Sequence, residues 1–222
     1  MTLPRSILAA GGFVVASMLV GLWAYAALPA DAYLPYHQGF GAPETGHLAK
    51  LYALALMPAI AAVVVGLLAR APTLSPDPAL DRSIMPYGVL MVGLAGVFFV
   101  AQIAVAQRLM NPGFDVVRMV FLAVAALLIA VGNYLGKVRH NGVFGVRTPW
   151  TLGDARVWDK THRVVGRLMV LGGLGLVAAC IFIADVHVLV PVMVLLTAGP
   201  PIYGVGYSRR VWRLEHPAQG QG

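Results

Sequence analysis

VVRMVFLAVAALLIAVGNYLGKVRHNGVFGVRTPW, residues 116–150, sets an apolar run against a basic, glycine-rich one, and from Met119 to Val131 every residue is apolar. Hydrocarbon offers no water to pair backbone amides and carbonyls, so an apolar run of about 18 residues or more reads as a membrane-spanning helix. Such runs recur at Ser6–Leu28, Leu48–Ala69, Ile84–Ala106, Val116–Leu135, Arg167–Ala184 and His187–Tyr207. The predicted fold class is all-α: a polytopic membrane protein with six transmembrane helices. Of the 222 residues, 59% are hydrophobic and 11% charged, which leaves no polar segment long enough to enclose a water-soluble core. Residues 1–222 are read as a single membrane domain. The first run follows Arg5 and holds Ala24 and Ala26 at signal-cleavage spacing. Its apolar length exceeds the roughly 7–15 residues of a signal peptide, so an uncleaved span is expected.

The basic residues orient these spans. Thirteen of the 16 Lys and Arg lie at the amino terminus, between Arg70 and Arg82, between Lys137 and Arg167, and in the carboxyl tail, while Lys50, Arg108 and Arg118 lie on the other side. Positive loops stay in the cytoplasm, so both termini and the Lys137–Arg167 connection are expected there. The net charge of +7 is thereby absorbed by topology and anionic lipid, and no direct nucleic-acid binding is expected. Trp23, Trp150, Trp158 and Trp212 fall at span ends or in loops, and are expected as interfacial anchors. Pro58 and Pro86 should kink the second and third spans, and Gly199–Pro200–Pro201 should bend or break the sixth. The lone Cys180 excludes an intramolecular disulfide and a thiolate zinc site.

Two polar segments are candidates for chemistry. The outer one, from Leu28 to Lys50, is rich in Pro and Gly and predicts an ordered turn structure at the membrane surface. It carries His37, His47, Glu44 and Asp31, but none at the spacing of a helix-borne ligand pair, so neither a metal nor a cofactor is expected. The inner segment, GNYLGKVRHNGVFGVRTPWTLGDARVWDKTHRVVGRL from Gly132 to Leu168, is the more informative. Asn133 and Tyr134 close the fourth span, Asn141–Gly142 predicts a tight turn with positive φ, and Pro149 biases Thr148 toward extended backbone. Thr151 and Asp154 have the spacing of a helix start. A short interfacial amphipathic helix is expected from about Leu152 to Val165, with Trp158 and His162 on one face and Arg156, Lys160 and Arg163 reaching lipid phosphates or water. Two readings compete here. The segment is either a docking platform, with Arg147 and free helix-start amides meeting acidic groups, or a topological anchor.

The motifs GNYLGKVRHNGVFGVRTPWTL and VWDKTHRVVGRL resemble those of the SdpI family of bacterial membrane proteins, which has an asparagine, a GIRTPWTL-type segment and a VWxxTHRxxG-type segment. On this resemblance residues 116–207 form the SdpI-like region. Residues 1–70, with LP and then PYHQGFGAPETGHLAKL, look like a two-helix domain of unknown function that often precedes it, Gln38 and Gly39 departing from its pattern. The resemblance implies a protein of the bacterial plasma membrane that confers immunity to a secreted peptide toxin and, with toxin present, sequesters a cytoplasmic winged-helix repressor. It also implies that Asn133, Arg147, Thr148, Pro149, Trp150, Trp158, Thr161, His162 and Arg163 form the shared core of the inner segment; Asn141 and Thr151 in the same segment, and His37 on the outer side, are further binding candidates.

The competing classes are a small-solute transporter or channel and a membrane enzyme acting on envelope precursors. The central thirds of the six spans hold no Asp, Glu, Lys or Arg, which argues against ion coupling. For an enzyme, Asp154, Asp159 and His162 are the available acid–base groups, but Asp159 and His162 form an ordinary i, i+3 surface pair, and no enzymatic activity is expected. Small residues at Gly132, Gly136, Gly172, Gly173 and Gly175 suit close helix contact, within one chain or between copies, so a homo-oligomer stays open.

Overall fold

A computed structural model describes residues 2–37, 44–74 and 83–217. Six of its helices are long and apolar enough to cross a membrane. These are α1 (Leu3–Ala27), α2 (Lys50–Leu74), α3 (Ile84–Met110), α4 (Val116–Leu135), α6 (Ala155–Phe182) and α7 (Val186–Glu215), with a five-residue helix α5 (Pro149–Gly153) before α6. The chain is an all-α polytopic membrane protein, as its apolar runs require.

Two groups of three helices make up the bundle. Helices α1, α2 and α3 pack on one another around Ala10, Val14, Ala61, Val65, Met91 and Ala95. In the second group α6 lies between α4 and α7, burying Phe121, Ala125, Leu176, Ala179 and Leu189, and contact between α3 and α4 joins the groups. Residue sizes run opposite to those of a water-soluble protein. Small side chains such as Ala10, Ser17, Ala24 and Ala125 are fully buried, while Leu8, Leu22, Leu67 and Phe182 face outward. Lipid is as apolar as leucine, so a large side chain gains little by turning inward and close approach of backbones holds the helices. A Cβ on Gly132 would lie 2.7 Å from the Gly166 carbonyl oxygen, and one on Gly173 would lie 2.7 Å from that of Ala125. These glycines therefore serve contact between α4 and α6 within the chain.

Helix ends are finished by side chains. Asp115, Asp154 and Asp185 cap the starts of α4, α6 and α7, each accepting a backbone N–H from two or three residues ahead. At one end of the bundle, cations finish the carbonyl ends. The Lys50 amine donates to the carbonyls of Tyr25 (3.2 Å) and Leu28 (2.9 Å) at the end of α1. Arg118 donates to the carbonyls of Cys180, Ile183 and Ala184 at the end of α6 while paired with Asp115.

Several expectations are corrected. The outer segment contains an antiparallel hairpin, β1 (Tyr33–His37) and β2 (Glu44–Ala49), with Tyr33 opposite Ala49 and an irregularity at Tyr36/His37. Its connecting residues 38–43 lie outside the described ones, as do the side chains of His37, Glu44 and His47. A short helix does precede the fifth span, but it ends at Gly153, and the residues expected to extend it to Val165 are instead the first turns of α6. Charge on Arg156, Lys160, Arg163 and Arg167 lowers hydropathy without opposing helix formation. Helix α7 runs unbroken through Pro200 and Pro201 to Glu215. Pro86 lies in the first turn of α3, where its missing N–H removes no hydrogen bond.

Replacing Gly132 with Leu should force α4 and α6 apart, costing about 1–3 kcal/mol. Gly11→Leu, where an added Cβ meets nothing within 4 Å, should cost little. Thermal midpoints of the two variants in detergent check this; equal midpoints would mean that the α4–α6 contact is looser than described.

Candidate functional site

At the end of the bundle opposite the hairpin, the connection from α4 to α6 is folded onto the extended starts and ends of α6 and α7. At 28 residues, α6 is about 42 Å long, some 12 Å more than a hydrocarbon core of about 30 Å needs. The surplus turns of α6 and α7 stand beside each other, joined by an ion pair between Lys160 and Glu215 and by His216 lying 3.6 Å from Asp154.

Trp158 and His162 form the centre of this region. They share one helix face, as their i, i+4 spacing predicts, but the face is turned inward and both side chains are fully buried. Their rings stack with centroids 4.0 Å apart. Trp158 is therefore not an interfacial anchor: its indole N–H donates to the Val138 carbonyl (2.8 Å), tying the connection back to α6. His162 Nε2 accepts the Val146 N–H (2.9 Å), and Nδ1 lies 2.9 Å from the Trp158 carbonyl. An accepting Nε2 leaves the ring proton on Nδ1, so the imidazole is neutral and held in one tautomer. Chain reversal occurs at Gly145, whose φ of 133 is the positive value expected nearer Asn141–Gly142. A Cβ there would meet His162 Nε2 at 2.3 Å, so both conformation and space demand glycine.

Asn141 builds its turn through its side chain instead. Its Oδ1 accepts the N–H groups of Val143 and Phe144, both at 2.8 Å, and its amide donates to the Arg139 (2.7 Å) and Phe144 (3.2 Å) carbonyls. Thr148 is extended, as Pro149 requires, and caps α5 in a reciprocal box with Thr151. The helix-start signal was thus one turn earlier than the Thr151–Asp154 spacing suggested. Thr151 Oγ1 also donates to the Val146 carbonyl (2.8 Å), and Thr148 Oγ1 meets Ser208 Oγ of α7 at 3.1 Å. Thr161 is buried with its hydroxyl unpaired among the described residues.

The remaining predicted residues point outward. Arg147 is exposed between the pinned Val146 and Thr148, and Pro149 is exposed directly after them. Trp150 is half-buried with the Arg209 guanidinium over its ring at 6.0 Å, and Arg210 and Arg213 are exposed nearby on α7. Asn133 and Arg163 lie on the exposed sides of α4 and α6. His37 belongs to β1 at the other end of the bundle, so it is not part of this constellation. Sequence reasoning missed Val138, Gly145, Ser208 and Ser83, whose hydroxyl accepts the Arg139 N–H (2.9 Å). Gly145, directly before VRTPW, carried the only legible signal. Tyr87 of α3 was missed as well: it donates to the Leu68 carbonyl of α2 and meets the Phe144 ring edge-on, linking the first helix group to the connection.

Residues 137–204 match the SdpI/YfhL protein family. Immunity protein SdpI of Bacillus subtilis (strain 168) is 31% identical over 77 residues, a match covering 35% of this chain and 37% of that protein. The similarity thus spans a little over a third of that relative's length. No solved structure matches the chain.

His162→Ala should leave the partly buried Val146 amide unpaired, a cost of about 1 kcal/mol that falls on the connection. Tryptic cleavage after Arg139 and Arg147 in the folded, detergent-purified protein should then accelerate by about tenfold. Unchanged cleavage would show that the His162 bonds do not hold the segment.

Proposed function

We propose that this chain, whose residues 137–204 carry the SdpI/YfhL family sequence, is a membrane immunity and signalling protein that meets a peptide toxin at its hairpin face and a cytoplasmic repressor at its basic face. On this reading the Lys137–Arg167 connection and both termini are cytoplasmic, in a bacterial plasma membrane. The observation that carries it is the division of labour in the connection. Asn141, Thr148, Thr151, Trp158, Thr161 and His162 are buried and form a frame, while Arg147 and Pro149 are displayed on it, and Trp150, next in the chain, carries the Arg209 guanidinium over its ring. A rigid basic display recognises acidic groups on a partner with little ordering cost.

The similarity to a protein named for immunity supports the same reading. So does α6, a single helix whose start carries Trp158 and His162 and whose end is gripped by Arg118. A contact made at one face therefore has a continuous element through which to bias the other. Acid–base chemistry gains no support from His162, both of whose ring nitrogens are occupied by backbone groups. We accordingly assign the chain a non-enzymatic role.

Cells expressing the chain should survive a secreted peptide toxin against which immunity proteins of the SdpI type protect, and pull-down in its presence should recover a cytoplasmic repressor. Arg147→Ala should leave membrane abundance unchanged while losing the repressor. Survival equal to that of cells lacking the chain would overturn the immunity reading, and recovery of the repressor by R147A would remove Arg147 from the interface. Orientation is checked separately with R147C on a C180S background, which an impermeant maleimide should label only after permeabilisation.

A further inference from the structure

Between α4 and α6, at the basic end and outside the frame just described, lies a groove of about 550 Å³. Its floor is made by Gly132, Gly136 and Gly166 and its rim by Lys137, Arg163 and Arg167. The floor exists because the helices approach so closely: a Cβ on Gly166 would lie 2.7 Å from the Gly132 carbonyl oxygen, and one on Gly136 would lie 3.2 Å from Arg163 Cγ. Two backbones this near leave a furrow along their outer side that no side chain fills.

The three rim cations are exposed, and among the described residues none forms an ion pair within the chain. The Lys137 amine rests 4.7 Å from the Tyr134 ring, and Arg163 donates its Nε–H to the Asp159 carbonyl one turn earlier, which draws the guanidinium toward the basic end. The Asp159 carboxylate, on the same helix, offsets part of the charge, but the rim keeps a positive excess. Depth matters as much as sign. Arg167 lies 16 residues before Ile183, the cap that ends α6, a rise of about 24 Å against a hydrocarbon thickness of about 30 Å. Its Cα therefore sits inside the apolar layer and its guanidinium must extend along the groove toward the phosphate level. Deeper still, Val170 and the outward-facing Leu171 line the same groove with apolar surface.

We propose that this groove is a binding site for an anionic phospholipid of the leaflet at the basic face. The headgroup phosphate is held by Lys137, Arg163 and Arg167, and one acyl chain lies along Gly132, Gly166, Val170 and Leu171. A charged rim above an apolar furrow that opens sideways into lipid fits a phosphate carrying a hydrocarbon chain, whereas an inorganic anion would leave the lower half of the groove unused. The site is separate from the Arg147 display, and its test does not depend on toxin or repressor.

Native mass spectrometry of the full chain in detergent, with phosphatidylglycerol or phosphatidylcholine of matched chains added, tests this. The wild type should retain phosphatidylglycerol in preference. R163Q and R167Q should each lower that retention by about fivefold, the weight of one cation near a lipid surface. R167K, which keeps the charge, and R209Q/R210Q, which removes charge from another part of the same face, should both retain it and so show that the variants are folded and the site local. Equal retention of the two lipids, or an equal loss in R209Q/R210Q, would overturn the proposal. Displacement of the lipid by millimolar inorganic phosphate would also overturn it, by showing a bare anion site.

Discussion

Backbone amides and carbonyls immersed in hydrocarbon have no solvent to turn to, and this requirement governs what each part of the chain can do. Within the spans it is met by helix formation, which is why composition alone places them. At the helix ends it must be met by something else, and the charged residues are used there. Asp115, Asp154 and Asp185 finish helix starts, and Lys50 and Arg118 finish helix carbonyl ends at the hairpin face. Lys50 and Arg118 are two of the three basic residues on that face, so the charge asymmetry along the sequence is sharper than a count implies: these cations are committed to capping, while Arg147, Arg209 and Arg210 at the other face remain exposed.

The spans were legible because hydropathy reports the medium, and the medium decides helix formation over those stretches. It was a poor guide to where helices stop. Helix α6 begins at Ala155 and not near Arg167, because a helix leaving the membrane continues in water when its residues favour it, whatever their charge. The β1–β2 hairpin was not read because pairing across a turn depends on register, which Pro- and Gly-rich composition does not express. In the candidate site, residue identities were legible through motif resemblance, but their roles were not. Trp158 looked like an anchor because tryptophan near a span end usually is one; its burial follows from the connection folding back over it, a tertiary event with no local signature. Ser208 was invisible for the same reason, since its partner Thr148 is distant in sequence.

The buried pieces of the connection depend on one another. His162 holds Val146, Val146 accepts from Thr151, Thr151 and Thr148 close α5, and Thr148 reaches Ser208 on α7. Each bond is modest, of the order of 1 kcal/mol, but in a low-dielectric interior such bonds stand or fall together. The result is a short irregular segment whose course is braced by side-chain bonds where regular backbone pairing is lacking.

Helix α6 is grasped at both extremities, by the Arg118 guanidinium at one and by the Val138–Trp158 bond at the other, with no proline and no break between them. A shaft of this kind has no proline joint at which to bend. Any displacement at one surface of the membrane must reach the far surface as a twist, a tilt or a slide of the whole length, and a tilt of a few degrees about mid-bilayer swings each extremity by about 1–2 Å, given an α-helical rise of 1.5 Å per residue.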